Sequence, residues 1–388
     1  MKPEAWHERR ELVCVGTGGV GKTTVAAAIG LAAARRGRRA LVLTIDPAKR
    51  LADALGAGPL DHEEREVPRA WLRRAGVPDE GGLSAMMLDT KRTFDEIVTR
   101  HAPDAETVAR IFANPIYQNL TDALAGSREY SAIEKLHQIF SAGRYDLVVL
   151  DTPPARHALE FLDAPRRLTG FLDTQLLRLL FRPAAAMGRV GFRMFRIGSA
   201  TVLRTIERLS GVEFLTAVSE FLLVFEAMLD GFSERAREAE ALLRGPECGF
   251  LLVAGPGVEQ ARRAREFWTR LEGEQVDVVG LVVNRVRTWA AEGAPPVGDP
   301  GPEAERWLAG ALGAHGVSGD TSADAAAILA AGHRQAALAA RDAEVVRALA
   351  GDLPLEPDAV RVVPLLDEDV HAQDGLTRLA AHLFGSAP

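Results

Sequence analysis

The chain has 388 residues, of which 47% are hydrophobic and 26% charged, a balance that excludes wholesale disorder. A formal net charge of −7 and an aromatic content of 6% give no general reason to expect nucleic acid or a single-strand stacking platform. Two cysteines, Cys14 and Cys248, without a C-x-x-C or Cys/His cluster, exclude a disulfide scaffold and a structural zinc site.

Leu12 to Gly16 (LVCVG) is a short apolar run ending in glycine and predicts a buried strand. An alanine- and leucine-rich helix is expected from about Lys22 to Arg36, stopped by Gly37, where a left-handed cap is favoured. Ala40 to Asp46 (ALVLTID) is the next strand. A strand, helix and strand this close together make the two strands parallel. Further strands are expected at Leu83–Leu88, Leu147–Asp151, Phe250–Ala254, Val278–Asn284 and Val360–Pro364. These runs are rich in Val and Leu rather than alternating, which points to a sheet covered on both faces. The expected fold class is therefore α/β, a doubly wound, mostly parallel sheet.

Two regions depart from that pattern. Arg156 to Leu243 contains no convincing strand, so residues 156–245 read as an inserted helical subdomain, with 1–155 and 246–388 forming the sheet domain. Gly293 to Pro302 is a Pro/Gly-rich loop, followed by an alanine-rich helical stretch from about Thr321 to Ala350. No stretch approaches the roughly 18 uninterrupted apolar residues of a membrane span. Met1 to Glu11 is polar and charged, unlike a signal peptide, so the expected location is cytoplasmic.

The chemistry concentrates in Gly16-Thr17-Gly18-Gly19-Val20-Gly21-Lys22-Thr23, which fits G-x-x-x-x-G-K-S/T between a strand and a helix. Glycines let backbone N–H groups turn inward around phosphate oxygens, and the helix adds the positive end of its dipole. The expected nucleotide contacts run from Gly18, Gly19, Val20 and Gly21 through Lys22 and Thr23 to Thr24. Lys22 would hold the β and γ phosphates of ATP and act in catalysis, and the Thr23 hydroxyl would coordinate Mg²⁺. Asp46 and Asp151 end strands, where ligands of an open α/β sheet bind. Either carboxylate can hold magnesium or its water, or orient an attacking water; otherwise each is a helix cap or turn residue.

The order and wording of these segments resemble the arsenical pump-driving ATPase (ArsA) family, which includes ATPases that target tail-anchored membrane proteins. That family's loop reads G-K-G-G-x-G-K-T, matched by Gly16–Thr23 at every fixed position but the second. Its first switch begins D-P-A, as in Asp46–Ala48, and its second begins D-T with a histidine six residues after the aspartate, as in Asp151 and His157. The resemblance implies that Asp46 positions the hydrolytic water and that Asn284, after a late strand, contacts adenine. It also implies an adenine loop at Pro364-Leu365-Leu366-Asp367-Glu368-Asp369-Val370. The family's second loop residue is a lysine that reaches across a dimer to the partner's phosphates; here it is Thr17. Lys49, Arg50 and Arg156 stand at switch positions where the family usually has His, Asn and Gly, and one of them could substitute. The cysteine cluster that binds arsenite in pump subunits is absent, and Cys14 and Cys248 read as small core residues.

Arg166 to Arg208 carries nine arginines, no lysine and only Asp173 and Glu207 as acids, interleaved with Leu, Phe and Met. Such a segment forms ordinary helix core, holds an apolar client against a basic rim, or lies on an anionic membrane. The expected function is a Mg²⁺-dependent ATPase coupled to a helical subdomain that handles an apolar client or partner protein. A homodimer or a heterodimer with a family paralogue is the expected assembly, with no nucleic acid partner. The alternatives are a low-turnover nucleotide-binding subunit beside a lysine-bearing paralogue, and the drive subunit of a membrane transporter. A positioning ATPase of the ParA/MinD type shares the loop but not the long helical insertion.

Overall fold

The computed structural model describes residues 6, 9–45, 50–102, 104–114, 117–118, 127–153, 234, 237–289, 301–366 and 373–384. Eight strands form one sheet in the order β3-β4-β2-β5-β1-β6-β7-β8. They are β1 (Glu11–Gly16), β2 (Arg39–Thr44), β3 (Arg65–Glu66), β4 (Gly82–Met87), β5 (Leu147–Asp151), β6 (Cys248–Ala254), β7 (Val278–Val286) and β8 (Val360–Pro364). Every pairing is parallel except that of β3 with β4. The two-residue β3 is all charge (Arg65 and Glu66), so no apolar pattern announces it; a short, charged, antiparallel strand protects the sheet's edge.

Side chains of each strand alternate between two cores, as the pleat requires. Val13, Val15, Leu41 and Leu43 enter one core; Leu12, Cys14, Ala40 and Val42 enter the other. Both faces are therefore dry, which explains the unbroken apolar runs. The first helix, α1 (Lys22–Arg35), is buried at every position from Val25 to Ala34. It lies between the sheet and the C-terminal helix, and its alanines allow close approach on both sides. A Cβ at Gly30 would sit 2.6 Å from Val42 Cγ2, so this helix could not pack as closely with a larger residue there. Gly37, with φ 79, ends the helix as expected.

The alanine-rich stretch is a single helix, Thr321–Asp352, capped by the Asp320 carboxylate, which accepts from the backbone of Ser322 and Ala323. The preceding helix, Pro302–Ala314, packs against it and has no buried residue. Arg287, just past β7, anchors the long helix through Asp342, which is 4% exposed and accepts from the Arg287 backbone at 2.9 Å. No helix among the described residues is long and apolar enough to cross a membrane. Most of the segment read as an inserted helical subdomain, and the Pro/Gly-rich loop up to residue 300, lie outside the described residues.

Glu11 extends β1 one residue before the apolar run that begins at Leu12. It is the first residue of β1, fully buried, and registers with Cys248 on β6. Burial pushes its carboxyl up to about 8 and raises the Cys248 thiol as well. Between the usual 4.5 and that value the folded chain holds a proton that the unfolded chain releases, so stability falls as pH rises through this window. Glu11→Gln is expected to flatten that slope and to raise stability near pH 8.5 by roughly 2–4 kcal/mol. Urea melts of both proteins at about pH 5 and about pH 8.5 read the effect; parallel slopes would show that Glu11 is already neutralised by another route. Trp6 is likewise buried, its indole N–H donating to Val279 O at 2.8 Å and its ring edge-on to Phe384.

Candidate functional site: a phosphate loop and the strand ends around it

β1 stops at Gly16, and the chain folds over the strand's own end before α1 begins at Lys22. Two of the glycines are dictated by geometry. At Gly16, φ is 153 and a Cβ would lie 2.1 Å from Val253 O; at Gly21, φ is 91 and a Cβ would lie 2.4 Å from Asn284 Nδ2. No other residue fits either place. The loop's outer rim, Gly18 and Gly19, is exposed, while Val20 is buried beneath it.

Lys22 is 7% exposed, and its ammonium donates to Thr17 O at 3.3 Å, so the cation lies folded against the loop rather than out in solvent. The next residue, Thr23, donates from Oγ1 to Asp151 Oδ2 at 2.7 Å. Thr44, the last residue of β2, donates to the same oxygen at 2.9 Å. Asp151 itself is 1% exposed at the end of β5. The strand order creates this cluster: β5 lies between β1 and β2, so the ends of β5 and β2 meet the first turn of the helix that follows β1. Thr152 fastens the next step of the chain by donating to Cys14 O at 2.7 Å. The Cys14 thiol is pushed far up by burial and by Asp151, more than Lys22 can offset, so it stays protonated and inert.

On the other side of the loop, Asn284 is 6% exposed and donates from Nδ2 to Val20 O at 2.8 Å. The structure thus gives it a job the sequence did not suggest, holding the loop from below. Pro364 ends β8 and pairs with Val286, one strand beyond Asn284. Of the sequence-predicted residues, Gly18 to Thr24, Asp151 and Asn284 converge, Thr24 as a half-buried member of the first helical turn. Asp46, Lys49, Arg156, His157 and residues 367–370 lie outside the described residues, as does the side chain of Arg50. Thr17 is 8% exposed, and its hydroxyl makes no hydrogen bond among the described residues.

Two residues escaped sequence reasoning. Thr44 carried a signal, a hydroxyl at the end of a strand next in space to a strand-end aspartate, but using it required the strand order. Arg285 donates from Nη1 to Gly19 O at 3.0 Å, and nothing in the sequence announces the backbone turn that aims it there. A cavity of about 920 Å³ lies away from the loop, toward the β3–β4 edge, lined by His62, Glu96 and Lys135 among others. Lys135 bonds Glu96 at 2.9 Å and His62 meets Glu96 at 3.1 Å, so these charges already satisfy one another.

Residues 9–288 match the family of anion-transporting ATPases. A putative arsenical pump-driving ATPase of Halobacterium salinarum is 33% identical over 169 residues, 43% of this chain and 25% of that protein. An uncharacterised protein of Streptomyces coelicolor is 31% identical over 307 residues, 78% of this chain and 66% of its own length. The ATPase GET3 of Malassezia globosa is 29% identical over 154 residues, 40% of this chain and 42% of that protein. The chain thus spans between a quarter and about two thirds of these relatives.

Proposed function

This chain belongs to the anion-transporting ATPase family, and we propose that it is a magnesium-dependent P-loop ATPase. The observation that carries the reading is the junction of Lys22, Thr23 and Asp151 under a glycine loop at a helix N-terminus. Loop N–H groups and Lys22 bind and neutralise the β and γ phosphates. The oxygens gathered at Thr23, Asp151 and Thr44 are all hard donors, the set that suits Mg²⁺, and Thr23 and Asp151 would hold it. When bound, magnesium supplies neutralisation of the charge on the phosphate oxygens. Asp46, just beyond β2, orients a water for in-line attack on the γ-phosphorus. The bond from that phosphorus to the bridging oxygen breaks, and ADP and phosphate leave.

The loops that follow Thr44 and Asp151 link this chemistry to the rest of the chain. In our reading they are switches, and nucleotide-driven closure of a dimer moves the helical subdomain at 156–245, which handles an apolar client or partner protein in the cytoplasm. Drive of a membrane transporter would use the same switch. Thr17 favours a second reading. A trans-acting cation can be worth roughly 10³–10⁵ in rate, and a buried threonine supplies none, which suits a low-turnover subunit beside a lysine-bearing paralogue.

Phosphate release by the purified protein with Mg²⁺ and ATP tests both. Asp46→Asn is expected to keep MgATP affinity while turnover falls at least about tenfold, because an amide neither accepts the water's proton nor carries its charge. Wild-type turnover in that variant would remove Asp46 from the mechanism. Tight binding with no turnover at any concentration of the wild type would favour the paired-subunit reading.

A further inference from the structure

Arg285 sits near the end of β7 in the left-handed region, with φ 62. Among the described residues only one other non-glycine shares a positive φ, Gln275 in a tight turn after a helix. A long side chain persists in this conformation only where the surroundings impose it, and such strain gathers at functional places. Here the cause is visible. The register of β7 with β8 slips between Val283 and Val286, as in a β-bulge, and the Asn284 carboxamide accepts from the Arg285 backbone N–H at 3.0 Å. The bulge aims the guanidinium at the phosphate loop, where Nη1 donates to Gly19 O at 3.0 Å. Asn284 takes the next carbonyl, Val20 O. Two consecutive residues of β7 thus hold two consecutive carbonyls of the loop.

A strut would need only Asn284. Arg285 adds an exposed planar cation that no carboxylate pairs with among the described residues. Its position along the sheet says what it meets. Thr23, Asp151 and Thr44 lie on the β5 and β2 side of β1, which is the magnesium and γ-phosphate side of the loop in the function proposed above. Arg285 lies on the opposite side, beyond β6. A nucleotide whose phosphates fill the loop and end beside Asp151 leaves its nucleoside on the Arg285 side. We infer that Arg285 is a nucleoside-contact residue: tied by its edge to Gly19 O, its guanidinium offers a flat face on which the purine base stacks. A guanidinium plane stacks well on an aromatic face, and one edge already fixed reduces the ordering cost of doing so. Base binding and loop conformation are then coupled through one side chain.

The inference rests on the loop being a nucleotide site, and the experiment separates the two. Calorimetry would compare MgATP with magnesium tripolyphosphate, which carries the phosphates without the nucleoside, for the wild type, Arg285→Ala and Arg285→Gly. Loss of one stacked base contact is expected to weaken MgATP about tenfold and to leave tripolyphosphate within about twofold. Arg285→Gly relieves the left-handed backbone, so it is expected to melt at or above the wild-type temperature while showing the same selective loss. Parallel weakening of both probes would make Arg285 a loop strut, greater weakening of tripolyphosphate would make it a phosphate cation, and no change would leave it idle; each overturns the proposal. A wild type that binds neither probe overturns the nucleotide site itself.

Discussion

Lys22→Ala is expected to weaken MgATP binding by about 30-fold or more, the equivalent of about 2 kcal/mol, the lower end of what truncating one partner of a buried charge pair costs. Lys22 is 7% exposed as a residue and its ammonium is folded onto Thr17 O, so it is ordered before any ligand arrives. The phosphates then gain a charge whose conformational entropy is already lost. Truncation removes the cation at the centre of the cradle while the loop N–H groups, Gly16 and Gly21 keep the loop's shape. The melting temperature without nucleotide should therefore change little, and titration calorimetry should show the whole loss in binding. Unchanged affinity would refute the assignment of the loop.

Asp151→Asn is expected to lower magnesium-dependent turnover by about 10²-fold, comparable to losing one fixed group that stabilises developing charge. Its carboxylate accepts from Thr23 at 2.7 Å and from Thr44 at 2.9 Å. An amide keeps one acceptor oxygen but places a donor N–H₂ where the other oxygen was, and it removes the negative charge that a divalent cation requires. The variant should need more Mg²⁺ for half-maximal turnover. Because the carboxylate is almost fully buried, neutralising it should leave the ligand-free protein as stable as before or more so. A magnesium titration alongside a thermal melt separates the outcomes. Lost turnover with an intact melt and a shifted Mg²⁺ requirement supports the metal role; lost turnover with an equally collapsed melt makes Asp151 a fold residue.

How much of this was legible beforehand varied with the range of the interaction. The strand at Leu147–Asp151 and the one at Val360–Pro364 were read to the residue. The first is an apolar run ending in aspartate, and a strand buried on both faces needs nothing subtler; the second, half-exposed at the sheet's edge, is marked by its three valines and its closing proline. The loop was equally plain, since its glycines are required by backbone conformation and close approach at Gly16 and Gly21. The two-residue β3 was invisible, because an exposed edge strand of Arg65 and Glu66 has no hydrophobic pattern to show. Glu11 fell outside the strand read from Leu12 because a carboxylate normally marks solvent, and only its register against Cys248 shows it at the buried start of β1.

By itself the sequence determined the class of fold, the span of most of its strands and the glycine pattern of the loop after β1, because those depend on neighbours a few residues apart. Tertiary structure alone decided that β5 slots between β1 and β2, which turns the distant Asp151, Thr23 and Thr44 into one cluster of oxygens. It also decided that a slip between β7 and β8 forces Arg285 to φ 62 and swings its cation onto Gly19. Strand order and register are fixed by burial summed over whole faces of the sheet. No short stretch of the chain records that sum, so the side chains it brings together can be named from the sequence but not paired.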